Sequence, residues 1–438
     1  MKPSNYNFFF PYEPDDSKLI AYNSFSNALA LMEKEKHKIF TRFCENGENM
    51  NDDEFEGQLK AGHFLIEDDC NELDILRFRM LSARYNTDFL GLTIAPTADC
   101  NFRCAYCYEK DVIKPDYMSE EVQDKIIELV KSRAKVISHL SVTWYGGEPL
   151  MAVDVIERLS RKFIEICNEN KITYSGNIVT NGYLLTKEIA KLLQELIINT
   201  MQITMDGGRE THDSRRPHAD GSGTFDAILS NMAEAKEFLP TIGLRVNVDK
   251  ENISSAKEIS DILSEKGLSN KVSIYLGKIM DENDTYDGKK CFDMYEFSHE
   301  EFKHYLDVGA DVMWRYPRSV SNVCGADSCS SHIIAADGRM YKCWADIGNH
   351  ERCTGKLVDR ITHKDNVFLS YMLFDPTTSN PCKNCNVLPV CMGGCPYKRL
   401  NEDTDKCGIH KFVLEKYLRI IARKLKLSKD LRTTEDET

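Results

Sequence analysis

Three thiols crowd one short stretch, Cys100-Asn-Phe-Arg-Cys104-Ala-Tyr-Cys107, in a chain of 438 residues. No histidine and no fourth cysteine lies close by: Tyr108, Glu109 and Lys110 follow, and the next thiol is Cys167. Clustered intracellular cysteines commonly build a tetrahedral zinc site or an iron–sulfur cluster, and both ordinarily take four protein ligands. A cubane held by three keeps one iron open for a small molecule, much as a catalytic zinc keeps one position for chemistry. Three is an odd number for disulfides, and the C-x3-C-x2-C spacing, with Tyr106 directly before the last thiol, favours a cluster over structural thiols.

A second set of thiols lies toward the C-terminus. "CGADSC" spans Cys324 to Cys329, "DGRMYKC" ends at Cys343, "CKNCNVLPVCMGGC" runs from Cys382 to Cys395, and Cys407 follows. The C-x2-C-x5-C-x3-C spacing is too regular for chance burial, with two zinc sites as the alternative to iron–sulfur clusters. Cys44, Cys70, Cys167 and Cys291 stand alone and read as buried apolar thiols; Cys353 has no assignment.

Polar motifs fall between the two thiol sets. "GGEP", Gly146 to Pro149, offers two glycines that let backbone approach a ligand and a carboxylate, Glu148, for an ammonium group. "TNG", with Thr180 and Asn181, and "TMDG", with Thr204 and Asp206, suit hydroxyl and ribose contacts, although Asn-Gly and Asp-Gly are also common turn formers. "HDSRR" adds a guanidinium able to fork onto a carboxylate; its distance from Thr204 favours Arg216 over Arg215.

The elements that must position these groups follow a βα rhythm. From residue 91, six apolar runs ("GLTIAPT", "LSVTWYG", "SGNIVTNG", "TMQITMDG", "GLRVNVD", "KVSIYLG") alternate with amphipathic stretches such as "SEEVQDKIIELVKSRAK" and "VDVIERLSRKFIEICNEN". That pattern predicts a parallel sheet, and six strands fall short of a closed eight-stranded barrel. Chemistry in such folds sits at the C-terminal strand ends, where every one of these motifs lies. Residues 1–88 read as a small mixed unit, with strands in "YNFFFPYEP", "LIAYNSFSNALALM" and "HFLIEDD" and helices in "KEKHKIFTRFCE", "DEFEGQLKAG" and "ELDILRFRMLSARY".

Composition narrows the function classes. Lys plus Arg number 56 against 69 Asp plus Glu, a net charge of −13 that disfavours nucleic-acid binding. No stretch reaches the ~20 apolar residues that span a bilayer, and the N-terminus lacks a signal-peptide pattern, so a cytoplasmic protein with no membrane partner is expected. Eight of the 16 cysteines lie between Cys324 and Cys395, which in an intracellular chain points to metal ligation.

The cysteine loop followed by a Gly-Gly-Glu turn resembles the signature of radical S-adenosylmethionine (SAM) enzymes. The resemblance implies a 4Fe–4S cluster on Cys100, Cys104 and Cys107 whose open iron chelates the methionine moiety of S-adenosylmethionine, and reductive cleavage to a 5'-deoxyadenosyl radical. It also implies an α/β fold, an open parallel (β/α)6 partial TIM barrel over residues 89–315. Tyr106, Gly146, Gly147, Glu148, Thr180, Asn181, Thr204, Asp206, Arg216 and Leu276 would be its cofactor contacts, with Leu276 against the adenine.

The C-terminal thiols, within residues 316–412, resemble a SPASM domain with two auxiliary 4Fe–4S clusters. Mapped by position, Cys324, Cys329, Cys343 and Cys395 would serve the first, expected to be closed, and Cys382, Cys385, Cys391 and Cys407 the second. Residues 413–438 remain as a C-terminal helix and tail. Residues 1–88 resemble the winged-helix-like domain that captures the leader of a ribosomally made peptide, with a stabilising cap as the other reading. Together these imply a maturase that abstracts hydrogen from a precursor peptide to install a thioether or carbon–carbon crosslink, with a low-potential donor such as flavodoxin or ferredoxin. A sulfatase-maturating enzyme is the alternative, but the resemblance puts an aspartate base directly after the thiol matched by Cys343, where this chain has Trp344 and keeps Asp346 two residues on. An iron–sulfur electron carrier or a metal-binding scaffold is the non-enzyme alternative, and a carrier would need no open iron beside a Gly-Gly-Glu turn.

Overall fold

The computed structural model describes residues 1–281, 286–357, 366–401 and 404–435. They form two compact units: Met1–Arg84 with Met294–Val323 and Phe374–Thr438, and Tyr85–Asp293 with Cys324–Leu373.

In the second unit six parallel strands lie side by side in chain order: β1 (Phe89–Ile94), β2 (His139–Trp144), β3 (Thr173–Thr180), β4 (Ile198–Thr204), β5 (Thr241–Val248) and β6 (Val272–Lys278). Each falls on one of the six apolar runs. Parallel neighbours need a crossover, and the intervening helices are α1 (Glu120–Arg133), α2 (Val153–Asn170), α3 (Lys187–Glu195), α4 (Arg209–Arg215), α5 (Phe225–Ala235) and α6 (Glu258–Glu265). Ser119 and Thr186 cap α1 and α3 by accepting the N–H of Val122 and Ile189, which satisfies donors a helix start leaves orphaned.

Leu140, Val142 and Trp144 of β2 are fully buried with Ile156, Leu159 and Phe163 of α2 in one core; each such side chain is worth ~1.5–3 kcal/mol of burial. This is the open (β/α)6 arrangement of a partial TIM barrel, and it brings every strand's C-terminal end to one edge.

The sheet does not stop at β1. A segment after the barrel, β7 (Ser331–Ile334), pairs parallel to β1 with Ser331 opposite Gly91, and β8 (Arg339–Tyr341) and β9 (Gly355–Lys356) extend it antiparallel to nine strands. Cys329 and Cys343 flank this hairpin.

In the first unit Asn7–Pro11, Lys18–Asn23 and Leu29–Glu33 form an antiparallel sheet, with helices Lys34–Asn46, Asp53–Ala61 and Glu72–Arg84. Lys2–Pro3 pairs with Leu65–Ile66. Ile20 and Tyr22 of the middle strand pack on Leu414, Leu418 and Ala422 of the helix His410–Glu435. Tyr417 and Ile421 of that helix meet Tyr305 and Val312. The N-terminal sheet and the C-terminal helix therefore share one core. Among the described residues no helix is long and apolar enough to cross a membrane.

Of the four lone cysteines, Cys167 is buried as expected, whereas Cys44, Cys70 and Cys291 are only half-buried. Cys167 points from α2 into the barrel core, and Cys44 packs against the core of the N-terminal unit from the helix Lys34–Asn46.

Candidate active site

The Cys100–Cys107 loop leaves the end of β1 and is tied to the segment after α4: Arg103 N–H donates to Pro217 O and Ala105 N–H to Arg215 O, both at 2.9 Å. The three thiols lie within electrostatic reach of one another. Burial pushes all three up, Cys107 to about 12, while the Arg216 cation opposes this at Cys104. Metal ligation takes thiolates, so cluster loading and proton loss are coupled. Among the described residues no three side chains are already drawn into metal-ligand geometry. The donor set nonetheless suits a cluster held by three cysteines: three soft donors on one loop, a cation beside one of them, and no fourth cysteine on the loop.

Tyr106, between two thiols, is the hub of the strand-end network. Its hydroxyl donates to Asp206 Oδ2 at 2.5 Å and accepts from Arg216 Nη1 at 2.7 Å and Asn247 Nδ2 at 3.0 Å. Asp206 follows β4, Asn247 lies one residue before the end of β5 and Arg216 follows α4, so a residue of the cysteine loop ties three barrel segments together. Arg216 stays a fixed cation: burial works against its charge, but Cys104, Tyr106 and Asp206 outweigh it. Its neighbour Arg215 is held differently, with Nη1 on Asp249 at 3.0 Å and Nε 3.6 Å from Asp206.

Gly146 and Gly147 serve the packing of this loop. Gly146 has φ +113°, and a Cβ there would lie 2.7 Å from Thr97 O; one on Gly147 would lie 2.1 Å from Asp99 O. The turn after β2 thus rides against the backbone leading into Cys100, and Glu148 N–H donates to Asp99 O at 2.8 Å. The Glu148 carboxylate is buried and accepts from Leu150 N–H at 3.0 Å, Thr180 Oγ1 at 2.7 Å and Asn181 N–H at 2.7 Å. Burial raises its pKa against those three donors and Arg216. With about four acceptor sites, the carboxylate keeps one for a ligand. Asn181 also reaches Asn101 of the cysteine loop at 2.8 Å.

Thr204 is buried at the end of β4, and Leu276 is buried in β6 opposite Val246. Asn247 joins this network from within "GLRVNV", where a polar residue between two valines near a strand end is its one signal in the sequence. An aromatic chain also forms: Tyr108 shares a hydroxyl–hydroxyl contact with Tyr145, whose ring lies 4.4 Å from that of Trp344. Only the fold reveals that pairing, since Trp344 arrives with the hairpin beside β1.

The C-terminal thiols divide between the units. Cys324, Cys329 and Cys343 belong to the barrel unit, and Cys382, Cys385, Cys391, Cys395 and Cys407 to the other. Cys407 lies within electrostatic reach of Cys391, Cys382 and Cys385, and Lys411 Nζ donates to Cys385 Sγ at 3.5 Å. Gly394 makes this approach possible: at φ +74°, a Cβ there would lie 1.9 Å from Lys406 O, and Cys395 N–H donates to that oxygen at 2.9 Å. In the barrel unit, Cys324 Sγ accepts the Ala326 N–H at 3.5 Å. Burial pulls the Lys342 ammonium down to about 8, against the opposing pull of Cys329, Asp327 and Cys324. Cys353 Sγ donates to Gly355 O at 3.1 Å.

Residues 94–263, from the end of β1 into α6, match the model of the Radical SAM superfamily; this stretch of the chain is a radical SAM domain. Such a domain takes S-adenosylmethionine and a 4Fe–4S cluster as its cofactors. A cysteine-type anaerobic sulfatase-maturating enzyme of Clostridium perfringens is 23% identical over 340 residues, 70% of this chain and 88% of that one. The Fe-coproporphyrin III synthase of Methanosarcina barkeri is 30% identical over 172 residues, 39% of this chain and 40% of that protein's length. The structure of native anSMEcpe with bound AdoMet and Cp18Cys peptide covers 78% of this chain and 99% of its own, with TM-score 0.61 and 18% identity. SuiB of Streptococcus suis bound to precursor peptide SuiA covers 93% and 98%, with TM-score 0.53 and 15% identity. At these identities the structural likeness is one of fold.

Proposed function

We propose that this radical SAM enzyme modifies a ribosomally made precursor peptide, installing a thioether or carbon–carbon crosslink, and carries two auxiliary 4Fe–4S clusters. The observation that carries the reading is the extent of the shared fold: the likeness to SuiB, solved with its precursor peptide, covers 93% of this chain. When bound, the radical cluster and S-adenosylmethionine supply one-electron cleavage and hence hydrogen abstraction from an unactivated carbon. Cys100, Cys104 and Cys107 would hold that cluster. Glu148 would take the methionine ammonium with its remaining acceptor site, and Arg216, aligned by Tyr106, the carboxylate. Cys382, Cys385, Cys391 and Cys407 would hold one auxiliary cluster, and Cys324, Cys329 and Cys343 would contribute to the other. A cytoplasmic setting and a low-potential flavoprotein or ferredoxin donor accompany this reading.

Sulfatase maturation is the second reading, favoured by the match over 88% of the Clostridium perfringens enzyme. Against it stands Asp346, the aspartate nearest to Cys343. It is buried and bound to Arg352 Nε at 3.1 Å and Tyr371 Oη at 2.9 Å, which leaves it poorly placed to act as a free base.

The test incubates anaerobically reconstituted protein with peptides encoded by short reading frames beside its gene, and in parallel with a cysteine-type sulfatase peptide, under tandem mass spectrometry. A two-hydrogen loss with a linked fragment pattern is expected for one of the former. Formylglycine on the latter, with no modified precursor, would replace this reading with the second.

A further inference from the structure

The thiols assigned to the first auxiliary cluster are arranged around a buried cation. Lys342 is 3% exposed, and its Nζ donates to Ser328 O and, at 2.7 Å, to Ser331 O. Those carbonyls lie on either side of Cys329, and Lys342 itself directly precedes Cys343. The Cys329 thiol, then Asp327 and Cys324, are the groups within electrostatic reach of its ammonium, and the Phe368 ring lies 5.6 Å from it. Lysine is almost never this buried unless paired, because an uncompensated charge in the interior is costly. Two carbonyls answer two of its three N–H donors, and Asp327 is a single anion. A 4Fe–4S cluster on cysteine thiolates is itself anionic and gains a further negative charge on reduction, so nearby charge and hydrogen bonding set its potential.

We propose that Lys342 is a positioning residue for the first auxiliary cluster: it clamps the two carbonyls that frame Cys329 and brings its ammonium beside the cluster, raising its reduction potential. The inference rests on the auxiliary-cluster reading above. Asp327 works in the opposite sense, so the potential reflects a buried pair and not the lysine alone.

The test is a redox titration followed by electron paramagnetic resonance on the reconstituted full chain, for wild type, Lys342→Met, Lys342→Arg and Asp327→Asn, with iron counted in each. In Lys342→Met the first auxiliary signal should move to lower potential by at least a decade in its one-electron equilibrium, 59 mV. Asp327→Asn should move it upward and Lys342→Arg should leave it near wild type, with the other two clusters unmoved in all three. If Lys342→Met instead loses this cluster's iron while Lys342→Arg keeps it, the clamp is supported and the charge is read from Asp327→Asn, where an unmoved potential overturns the proposal. A loaded Lys342→Met with an unmoved potential overturns it, as does loss of the iron in both lysine variants. Wild-type protein that loads only one cluster overturns the auxiliary-cluster reading and this inference with it.

Discussion

The barrel's cysteine loop and the C-terminal cysteine segments both gather thiols, by different means. The barrel loop is positioned from outside itself: Tyr106 is bonded to groups following β4 and α4 and near the end of β5, while Gly146 and Gly147 press against the backbone entering Cys100. The C-terminal thiols are positioned by their own turns, among them the 3-10 turns Gly325–Asp327 and Cys382–Asn384 and the left-handed run Met392 to Gly394. Their attendant cations differ as well. An arginine locked in a hydrogen-bond network faces Cys104, whereas lysines attend Cys329 and Cys385. A strongly hydrated ammonium on a flexible stem is a point charge, while the guanidinium fork also fixes direction. A site that must orient a small molecule gains from the second; a site that holds only a cluster gains from the first.

The largest effect expected separates the two regions by function. Replacing Cys100, Cys104 and Cys107 together by alanine should remove about a third of an expected roughly twelve irons and all cleavage of S-adenosylmethionine. Replacing Cys382, Cys385 and Cys391 should remove a similar share of iron yet leave uncoupled formation of 5'-deoxyadenosine. Iron analysis and chromatography of the nucleoside check both, and loss of cleavage in the second variant would dissolve the distinction.

The glycines sharpen the contrast in positioning. Gly147→Ala places a methyl against Asp99 O, and Gly394→Ala one against Lys406 O at a left-handed φ. Each should cost roughly 1–3 kcal/mol or more, since backbone must move. Gly147→Ala should lower loading of the radical cluster and Gly394→Ala that of an auxiliary cluster, read from their separate resonance signals.

A smaller effect is expected at the two arginines. Arg216→Lys should weaken S-adenosylmethionine binding by roughly 10- to 100-fold, the worth of one charged hydrogen bond. Arg215→Lys, whose guanidinium is committed to Asp249, should weaken it less. Calorimetry on the reconstituted variants decides, and the reverse order would move the carboxylate contact to Arg215.

Strand and helix placement was legible because period and length agree along the βα repeat: the apolar run ending in Trp144 is β2, and the stretch Val153–Asn170 is one helix end to end. The strand-end motifs were legible because a parallel sheet sends all such ends to one edge. The role of Gly146 and Gly147 was not, because a glycine pair near a ligand motif looks the same whether it makes room for the ligand or for a neighbouring loop. The β7 hairpin was hidden for a similar reason: "SHII" and "RMY" are too short to carry a period, and only pairing with β1 makes them strands. That hairpin brings Trp344 to Tyr145.

The smallest effect concerns acid stability and tests whether the strand-end network holds the barrel as well as its ligand. His212 is fully buried in α4. Its Nδ1 accepts the Asp206 N–H at 3.2 Å, so the proton sits on Nε2, which donates to Thr224 Oγ1 at 3.0 Å; that hydroxyl donates on to Arg216 O at 2.8 Å. A second proton would face the Asp206 N–H, and burial, with Arg216 nearby, lowers the pKa to about 3. The unfolded chain, with histidine near 6.5, therefore binds the proton more readily than the folded one between these values. His212 thus contributes stability that is present above about pH 6.5 and is lost as pH falls toward 3, with a slope of at most ~1.4 kcal/mol per pH unit. Buried carboxyls titrate in part of the same window, so the readout is a difference. Urea unfolding of wild type and His212→Asn should show the variant less stable at pH 7.5, with the gap closing as pH drops from 6.5 toward 4. Parallel curves over that range would mean that His212 titrates freely in the folded state, and that the Asp206 N–H to His212 bond contributes nothing to holding β4 and α4 together.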